Sequence, residues 1–277
     1  SDSKLNTIGG VTSAHRNIIS GNAGPGVMLS EAGSNNTLAG NYIGTDRNGE
    51  LAIGNKIGVY VVDSIFNFIG GGSTASRNVI SGNSEAGVKI EGINITAHSI
   101  EIAHNYIGLN KGGTSSIPNA VGIESINGGS SIVFNVVSGN IGDGITVSNQ
   151  QLGVILQGNI IGLNANGSDS VGNGGDGVQL LNVSNSELGT FSAGNVISGN
   201  DGFGVTLGGS TSIENSIANN FIGTDISGTL RRGNGLGGIR IHDGVQSTLV
   251  GQDPLFVLAP NVISGNAGDA ISANDVE

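Results

Sequence analysis

The sequence predicts an all-β chain wound into a solenoid. Three observations carry that prediction: a string that recurs along the whole chain, apolar residues that alternate with period two, and Gly or Asn closing every run. The string Asn-Val-Ile-Ser-Gly-Asn begins at Asn17 (as NIISGN), Asn78, Asn135 (as NVVSGN), Asn195 and Asn261, at separations of 61, 57, 60 and 66 residues. Between these lies a second string, Asn-x-Ile-Gly, at Asn41, Asn105, Asn159 and Asn220. Recurrence over this range marks units that bury their apolar sides only against their neighbours. The alternation lasts three to five residues and Gly interrupts every run, which excludes helices and leaves sheets to carry the fold.

Each element of one coil follows in order. The nine asparagines of the two strings step by 24, 37, 27, 30, 24, 36, 25 and 41 residues, the shorter steps being about one rung of a coil. A second marker falls within each step, an Asn three or four residues before a Gly-Val-x-Leu-like strand. It occurs at Asn22, Asn55, Asn83, Asn119, Asn140, Asn173, Asn200 and Asn234, and more loosely at Asn266. A third strand is seen in Asn6-Thr-Ile-Gly, Asn36-Thr-Leu-Ala, Asn67-Phe-Ile-Gly and Thr248-Leu-Val-Gly. Three short strands per step make a triangular coil. Strands this short bury their apolar side only by stacking in register at about 4.8 Å, so nine to ten coils would make a rod roughly 45 Å long.

The paired asparagines have a physical task. A side-chain amide carries both donor and acceptor, so identical Asn residues at one corner of successive coils can satisfy one another as a ladder. The sequence therefore predicts two ladders, one through Asn17, Asn41, Asn78, Asn105, Asn135, Asn159, Asn195, Asn220 and Asn261, the other through the nine second-marker asparagines. Gly supplies the positive φ that the corners need.

Composition narrows the functional classes. The 277 residues contain 51 Gly and 34 Asn, 4% aromatic residues and no Cys, with an apolar fraction of 36% that suffices for a core. A net charge of −11, with ten Lys and Arg scattered along the chain, argues against a nucleic-acid partner. No apolar run is long enough to span a bilayer, so membrane insertion is not expected. The absence of Cys fits an exported protein and a cytoplasmic one equally.

On the NVISGN strings and the NYIGTD and NFIGTD strings at Asn41 and Asn220, the chain resembles right-handed parallel β-helix repeat proteins of the pectate-lyase-like superfold, in particular the repeats of large secreted bacterial surface proteins. The resemblance covers the whole chain. It implies a right-handed parallel β-helix and a secreted or cell-surface location. It leaves activity open, because the superfold hosts lyases, hydrolases, epimerases, tailspikes and adhesin stalks. Its polygalacturonase-like hydrolases use clustered aspartates that include an adjacent pair, and its alginate epimerases use Asp-Pro-His-Glu. Neither motif occurs here.

Candidate sites come from what the repeat does not explain. Alternate coils carry an eleven-residue loop, at Thr45–Asn55, Leu109–Asn119, Leu163–Asn173 and Thr224–Asn234, and these loops should project from one edge as a stacked row. Within them Asp46 and Asn48, with Asp225 as a later counterpart, resemble half of a Ca²⁺ loop. An Asx-type turn closed by Gly explains the same residues. The outward column of the Gly-Val-x-Leu strand reads Met28, Tyr60, Lys89, Glu124, Thr146, Gln179, Thr206 and Arg240, and the next outward column adds Glu91 and His242. Tyr60, Lys89, Glu91 and Glu124 form a mixed-charge group suited to a sugar chain or to acid–base chemistry, and equally to a solvated face with cross-strand pairs. Arg240, His242 and Asp243 have the residue types of a proton-transfer or ligand-binding site. His15, His98 and His104 lie far apart in the coil count and have no metal-ligand spacing. Sugar-binding clefts tend to present aromatic platforms, yet the chain has no Trp and only Tyr42, Tyr60 and Tyr106, and Tyr42 and Tyr106 fall at a repeat position that reads as inward-looking.

The expectation is one β-helix domain over 1–277, a piece of a longer repeat protein flanked by further domains. Its role would be structural or adhesive, without catalysis and with no obligate cofactor, Ca²⁺ being the candidate ion. Its partner would be a polysaccharide or another surface protein. The alternative is a polysaccharide-binding or polysaccharide-degrading β-helix of lyase or hydrolase type.

Overall fold

The computed structural model describes residues 3–30, 33–92, 99–252, 254–255 and 259–274. Every named strand pairing among them is parallel, and every coil contributes one strand to each of three sheets. The first sheet runs from Thr7–Gly9 to Leu249–Val250, the second from Ile18–Ile19 to Val262–Ile263, and the third from Val27–Ser30 to Ile271–Asn274. Each holds nine strands, so eight full turns separate the first strand from the last. The only helical segments among the described residues are single 3₁₀ turns at Ser13–His15 and Thr74–Ser76. The fold is thus the parallel β-helix that the repeat predicts.

In-register stacking turns the period-two pattern into columns. Leu38, Ile69, Ile102, Ile132, Leu156, Leu188 and Ile217 line the interior from the first sheet. Ile43, Ile80, Ile107, Val137, Ile161, Ile197 and Ile222 do so from the second, and Val59, Val88, Ile123, Ile145, Val178, Val205 and Ile239 from the third. Each such side chain contributes roughly 1.5–3 kcal/mol by leaving water. β-branched residues suit this surface, because their stiff χ1 costs little on a pleated strand.

Both predicted ladders form along their whole length. In the first, Asn78 Nδ2 donates to Asn105 Oδ1 at 2.9 Å, Asn105 to Asn135 at 3.1 Å and Asn195 to Asn220 at 2.9 Å. The second runs in the same way from Asn22 to Asn55 (2.8 Å) through to Asn234 and Asn266 (2.9 Å). The acceptor oxygen also takes the backbone N–H of the preceding ladder residue, as at Asn105 N to Asn135 Oδ1 (2.9 Å). One side chain therefore closes the corner and pins the next coil. A third, shorter ladder joins Asn6 to Asn36 (2.8 Å) and Asn36 to Asn67 (3.0 Å) at the remaining corner. It stops where Ile100 takes the register of Asn67.

The Gly after each Asn-x-Ile is dictated by packing as well as by φ. At Gly108 (φ 90°) an added Cβ would lie 2.2 Å from Ser138 O and 2.5 Å from Asn140 Oδ1, so a side chain there would break the second ladder.

Candidate functional site

The four eleven-residue loops stack as expected, and the structure shows why they occupy alternate coils. Each is a small antiparallel hairpin, bridged at Thr45 with Ala52, Leu109 with Ser116, Leu163 with Ser170 and Thr224 with Arg231. The return arm fills the level of the preceding, loopless coil. Ile117 N–H donates to Gly108 O (2.8 Å), while Gly82 N–H of the coil before donates to Ile117 O (3.0 Å). A loop thus spans two levels. Successive loops then join through Lys111 N to Gly49 O (2.9 Å), Ala165 N to Gly113 O (2.8 Å) and Ile226 N to Gly167 O (3.0 Å), making one continuous flange. The Ser of the NVISGN string serves the same arrangement: Ser81, Ser138 and Ser198 each donate at 2.7 Å to the carbonyl that opens the next coil's loop, at Leu109, Leu163 and Thr224.

The flange corrects the reading of the tyrosines. Tyr42 and Tyr106 do not face the interior column, which Ile43 and Ile107 occupy. They stand on the outer face of the second sheet and are only 7% exposed because the flange roofs them. Tyr106, Leu109 and Val136 form a second apolar cluster there, with Ile160, Ala165 and Val171 packed against it. Arg16 lies 4.1 Å over the Tyr42 ring and Arg77 3.9 Å over that of Tyr106, closing the open side by cation–π contact.

At the loop turns, Asp46 Oδ1 accepts the N–H groups of Glu50 (2.8 Å) and Leu51 (3.1 Å), and Asp225 Oδ1 those of Thr229 (3.1 Å) and Leu230 (3.0 Å). Asn110 and Asn164 make the same bonds in the two middle loops. These backbone donors hold both carboxyls below the usual carboxylate range, that of Glu50 leading for Asp46 and that of Leu230 for Asp225. The Asx-turn reading accounts for both residues, and Asn48 sits on the same turn as Asp46. Asp46 and Asp225 are equivalent positions three loops apart. Among the described residues no group of three or more His, Cys, Asp or Glu converges as a metal site.

The outward columns of the third sheet fall in the predicted register, Met28–Tyr60–Lys89–Glu124–Thr146–Gln179–Thr206–Arg240, with Glu91 beside them. Tyr60, Lys89, Glu91 and Glu124 do meet. Lys89 Nζ lies 2.9 Å from Glu91 Oε1 and 3.1 Å from Glu124 Oε2, and the Tyr60 hydroxyl donates to Glu91 Oε2. Partial burial works against the Lys89 charge, but the hydrogen bonds to both carboxylates prevail and raise its pKa. The bond to Glu91 likewise raises Tyr60, and the bonds from Tyr60 and Lys89 lower Glu91. The shifts hold Lys89 and Glu91 in their charged forms and Tyr60 in its neutral one. A general base must be unprotonated yet able to accept a proton near the working pH; Lys89 is held protonated and Glu91 is made less basic, so the cluster is set as an ion network. A cavity of about 290 Å³ opens beside it, lined by Val62, Glu91, Ile126 and Asn127 among others.

Arg240, His242 and Asp243 do not form one network. The Arg240 guanidinium lies 5.7 Å from the centre of the Phe203 ring, and the His242 ring packs over Gly208. His242 Nδ1 is 2.7 Å from Asp243 Oδ2, yet the contact lacks the alignment of a directed hydrogen bond. His15, His104 and His242 belong to the first, fourth and eighth coils, and His98 lies outside the described residues.

Besides the third ladder, two features lie outside what the sequence predicts. Asp143 Oδ1 accepts the Asp176 N–H (2.7 Å), and Asp176 Oδ1 accepts that of Phe203 (2.7 Å), a short carboxylate version of the amide ladder. Burial, reinforced by the neighbouring Asp176 charge, raises Asp143. The visible signal was Asp three residues after a ladder Asn, as at Asn140 and Asn173. The second feature is Phe134, in the left-handed region at φ 56°, which stacks on His104 (φ 62°) at 5.3 Å. It edges an apolar groove of about 350 Å³ floored by Ile160, Val196 and Phe221.

No protein-family model matches the chain, and no curated protein does. Among solved structures it is similar to the A-module of the mannuronan C-5 epimerase AlgE6 of Azotobacter vinelandii, at 15% identity and a TM-score of 0.45, over 96% of this chain and 73% of that one. It is also similar to the Dettilon tailspike protein gp208, at 12% identity and a TM-score of 0.41, over 96% of this chain and 62% of that one. No helix among the described residues is long and apolar enough to cross a membrane.

Proposed function

We propose that the chain is a non-catalytic structural and adhesive β-helix module of a secreted or cell-surface bacterial protein, with the NVISGN-type repeat as its building unit. The observation that carries this reading is continuity. Two asparagine ladders pass through all nine coils without a break, and a flange of bonded loops runs beside them. Polar order on this scale stiffens a rod, since each buried amide is satisfied only in one register. The residues best suited to acid–base work are held in ion pairs that oppose it.

A second reading is a polysaccharide-binding or polysaccharide-degrading module, favoured by the polar strip Tyr60–Lys89–Glu91–Glu124 beside its cavity. One experiment separates the two. The chain is incubated with a panel of uronic-acid polymers, with and without Ca²⁺, and assayed for unsaturated product, new reducing ends and retained oligosaccharide. The adhesive reading expects no turnover. Turnover that disappears in Lys89→Ala would sink it.

A further inference from the structure

In a chain whose loops repeat, a departure confined to one loop marks a separate constraint. The return arms of the flange carry Ala52-Ile53, Ser116-Ile117, Ser170-Val171 and, in the fourth loop, Arg231-Arg232. The backbone pattern is kept there: Arg232 N–H donates to Gly223 O (2.9 Å) and Gly199 N–H to Arg232 O (2.8 Å). The hairpin therefore forms with or without the two guanidinium groups.

Those groups line an open cavity of about 580 Å³ with Asp169, Ser170, Gly233 and Gly235. Arg232 is fixed on several sides. Its Nε donates to Ser168 O, its Nη1 to Arg231 O at 2.9 Å, and its Nη2 lies 3.2 Å from Asp169 Oδ1. Arg231 is anchored at one point, Nε to Gly265 O at 2.7 Å, which sets the plane of the guanidinium and leaves both Nη groups uncommitted. Five other cations are committed elsewhere: Arg16 and Arg77 cover tyrosine rings, and Lys56, Lys89 and Lys111 pair with carboxylates.

We propose that Arg231, supported by Arg232, forms an oxyanion-binding site on the fourth flange loop, and that its ligand is an acidic saccharide. A guanidinium fork presents two parallel N–H donors that match the two oxygens of a carboxylate, and a sulfate ester offers the same pair. Asp169 stands beside the fork as an acceptor for saccharide hydroxyls. The net charge of −11 repels a long polyanion at a distance, so the site suits a short or sparsely charged chain. The proposal adds a ligand to the adhesive reading and does not depend on it.

The test is calorimetric titration of the full chain with trigalacturonate, with maltotriose as a neutral trisaccharide, and with sodium sulfate as a free oxyanion. Trigalacturonate should bind, sulfate should compete with it, and maltotriose should not bind. Arg231→Ala should weaken trigalacturonate by about tenfold or more, the loss of a charge-assisted pair. Its melting midpoint should stay at the wild-type value, because the side chain is exposed. Arg231→Lys should recover only part of the affinity, and it supplies the answer should the alanine variant fold poorly. The proposal falls if neither anion binds, if maltotriose binds as tightly as trigalacturonate, or if the Arg231 variants bind as the wild type does. Any of those results leaves the ladder-and-flange scaffold standing, whereas turnover of a polymer would overturn the adhesive reading alone.

Discussion

Asn105→Ala is the perturbation that most directly probes the ladder. Asn105 is fully buried, and its Nδ2 donates to Ile69 O (2.8 Å), Ala103 O (3.1 Å) and Asn135 Oδ1 (3.1 Å). Its Oδ1 accepts from Asn78 N (3.2 Å) and Asn78 Nδ2 (2.9 Å). Alanine orphans the Asn78 backbone N–H and takes one partner from Asn78 Nδ2, which keeps Leu38 O at 2.8 Å. A buried polar group left unsatisfied costs about 1–3 kcal/mol, so the two affected groups and the small void together should cost about 2–5 kcal/mol. Asn17→Ala is the internal control. Asn17 is exposed and only donates to Asn41, so its loss should cost about 0.5–1.5 kcal/mol. The assay is a guanidinium midpoint for both variants together with native-state hydrogen exchange. A solenoid couples only neighbouring coils, so protection should fall around the coils of Asn78 and Asn135 and hold near the rod's ends. A cost for Asn105→Ala no larger than for Asn17→Ala, or a loss of protection spread evenly along the rod, would refute the ladder argument.

Three further outcomes are expected. Asp143 has a folded-state pKa above its unfolded value, so its ionisation penalises the folded chain progressively as pH rises through that interval. Asp143→Asn keeps an acceptor for the Asp176 N–H. It should therefore raise the melting midpoint at neutral pH, with the gain vanishing in acid, and an unchanged neutral midpoint in a pH series of melts would contradict this. Asp46 has the opposite shift, stabilising above its unfolded value and losing that contribution as pH falls through the folded one. Since Asn fills the same turn in the middle loops, Asp46→Asn should leave limited proteolysis unaltered while Asp46→Ala speeds cleavage between 46 and 51. Tyr106→Ala empties the space under the flange and should cost about 3 kcal/mol or more in a urea titration. Tyr106→Phe keeps the ring and the Arg77 contact and should stay within about 0.5 kcal/mol; an equal cost for both would show that packing is not what Tyr106 supplies.

How much of this was legible in the residues depends on the range of the interaction. The ladder positions stood out because a buried amide stack needs the same residue in every coil, so chemistry and repetition coincide at Asn17 through Asn261. The outward columns were equally readable: once strands stack in register, strand alternation alone places Lys89 between Tyr60 and Glu124. The third ladder escaped because Asn6, Asn36 and Asn67 end at Ile100 before a period is established. The Asp143–Asp176 pair escaped because two members do not make a repeat.

The residues alone fix the coil: three strands, the inward faces of the Ile, Val and Leu columns, two of the ladder corners, and the length and spacing of the loops. Where those loops go depends on packing between distant segments. Folding back over the second sheet, they bury Tyr42 and Tyr106 on a face that alternation marks only as the opposite side from Ile43 and Ile107, and they fill the level of the coil before. The free fork of Arg231 was settled by that packing too. The physical reason is that a repeat encodes contacts between identical positions of adjacent coils, whereas these features arise where unlike segments, a loop and a sheet or a loop and a later turn, meet across the surface.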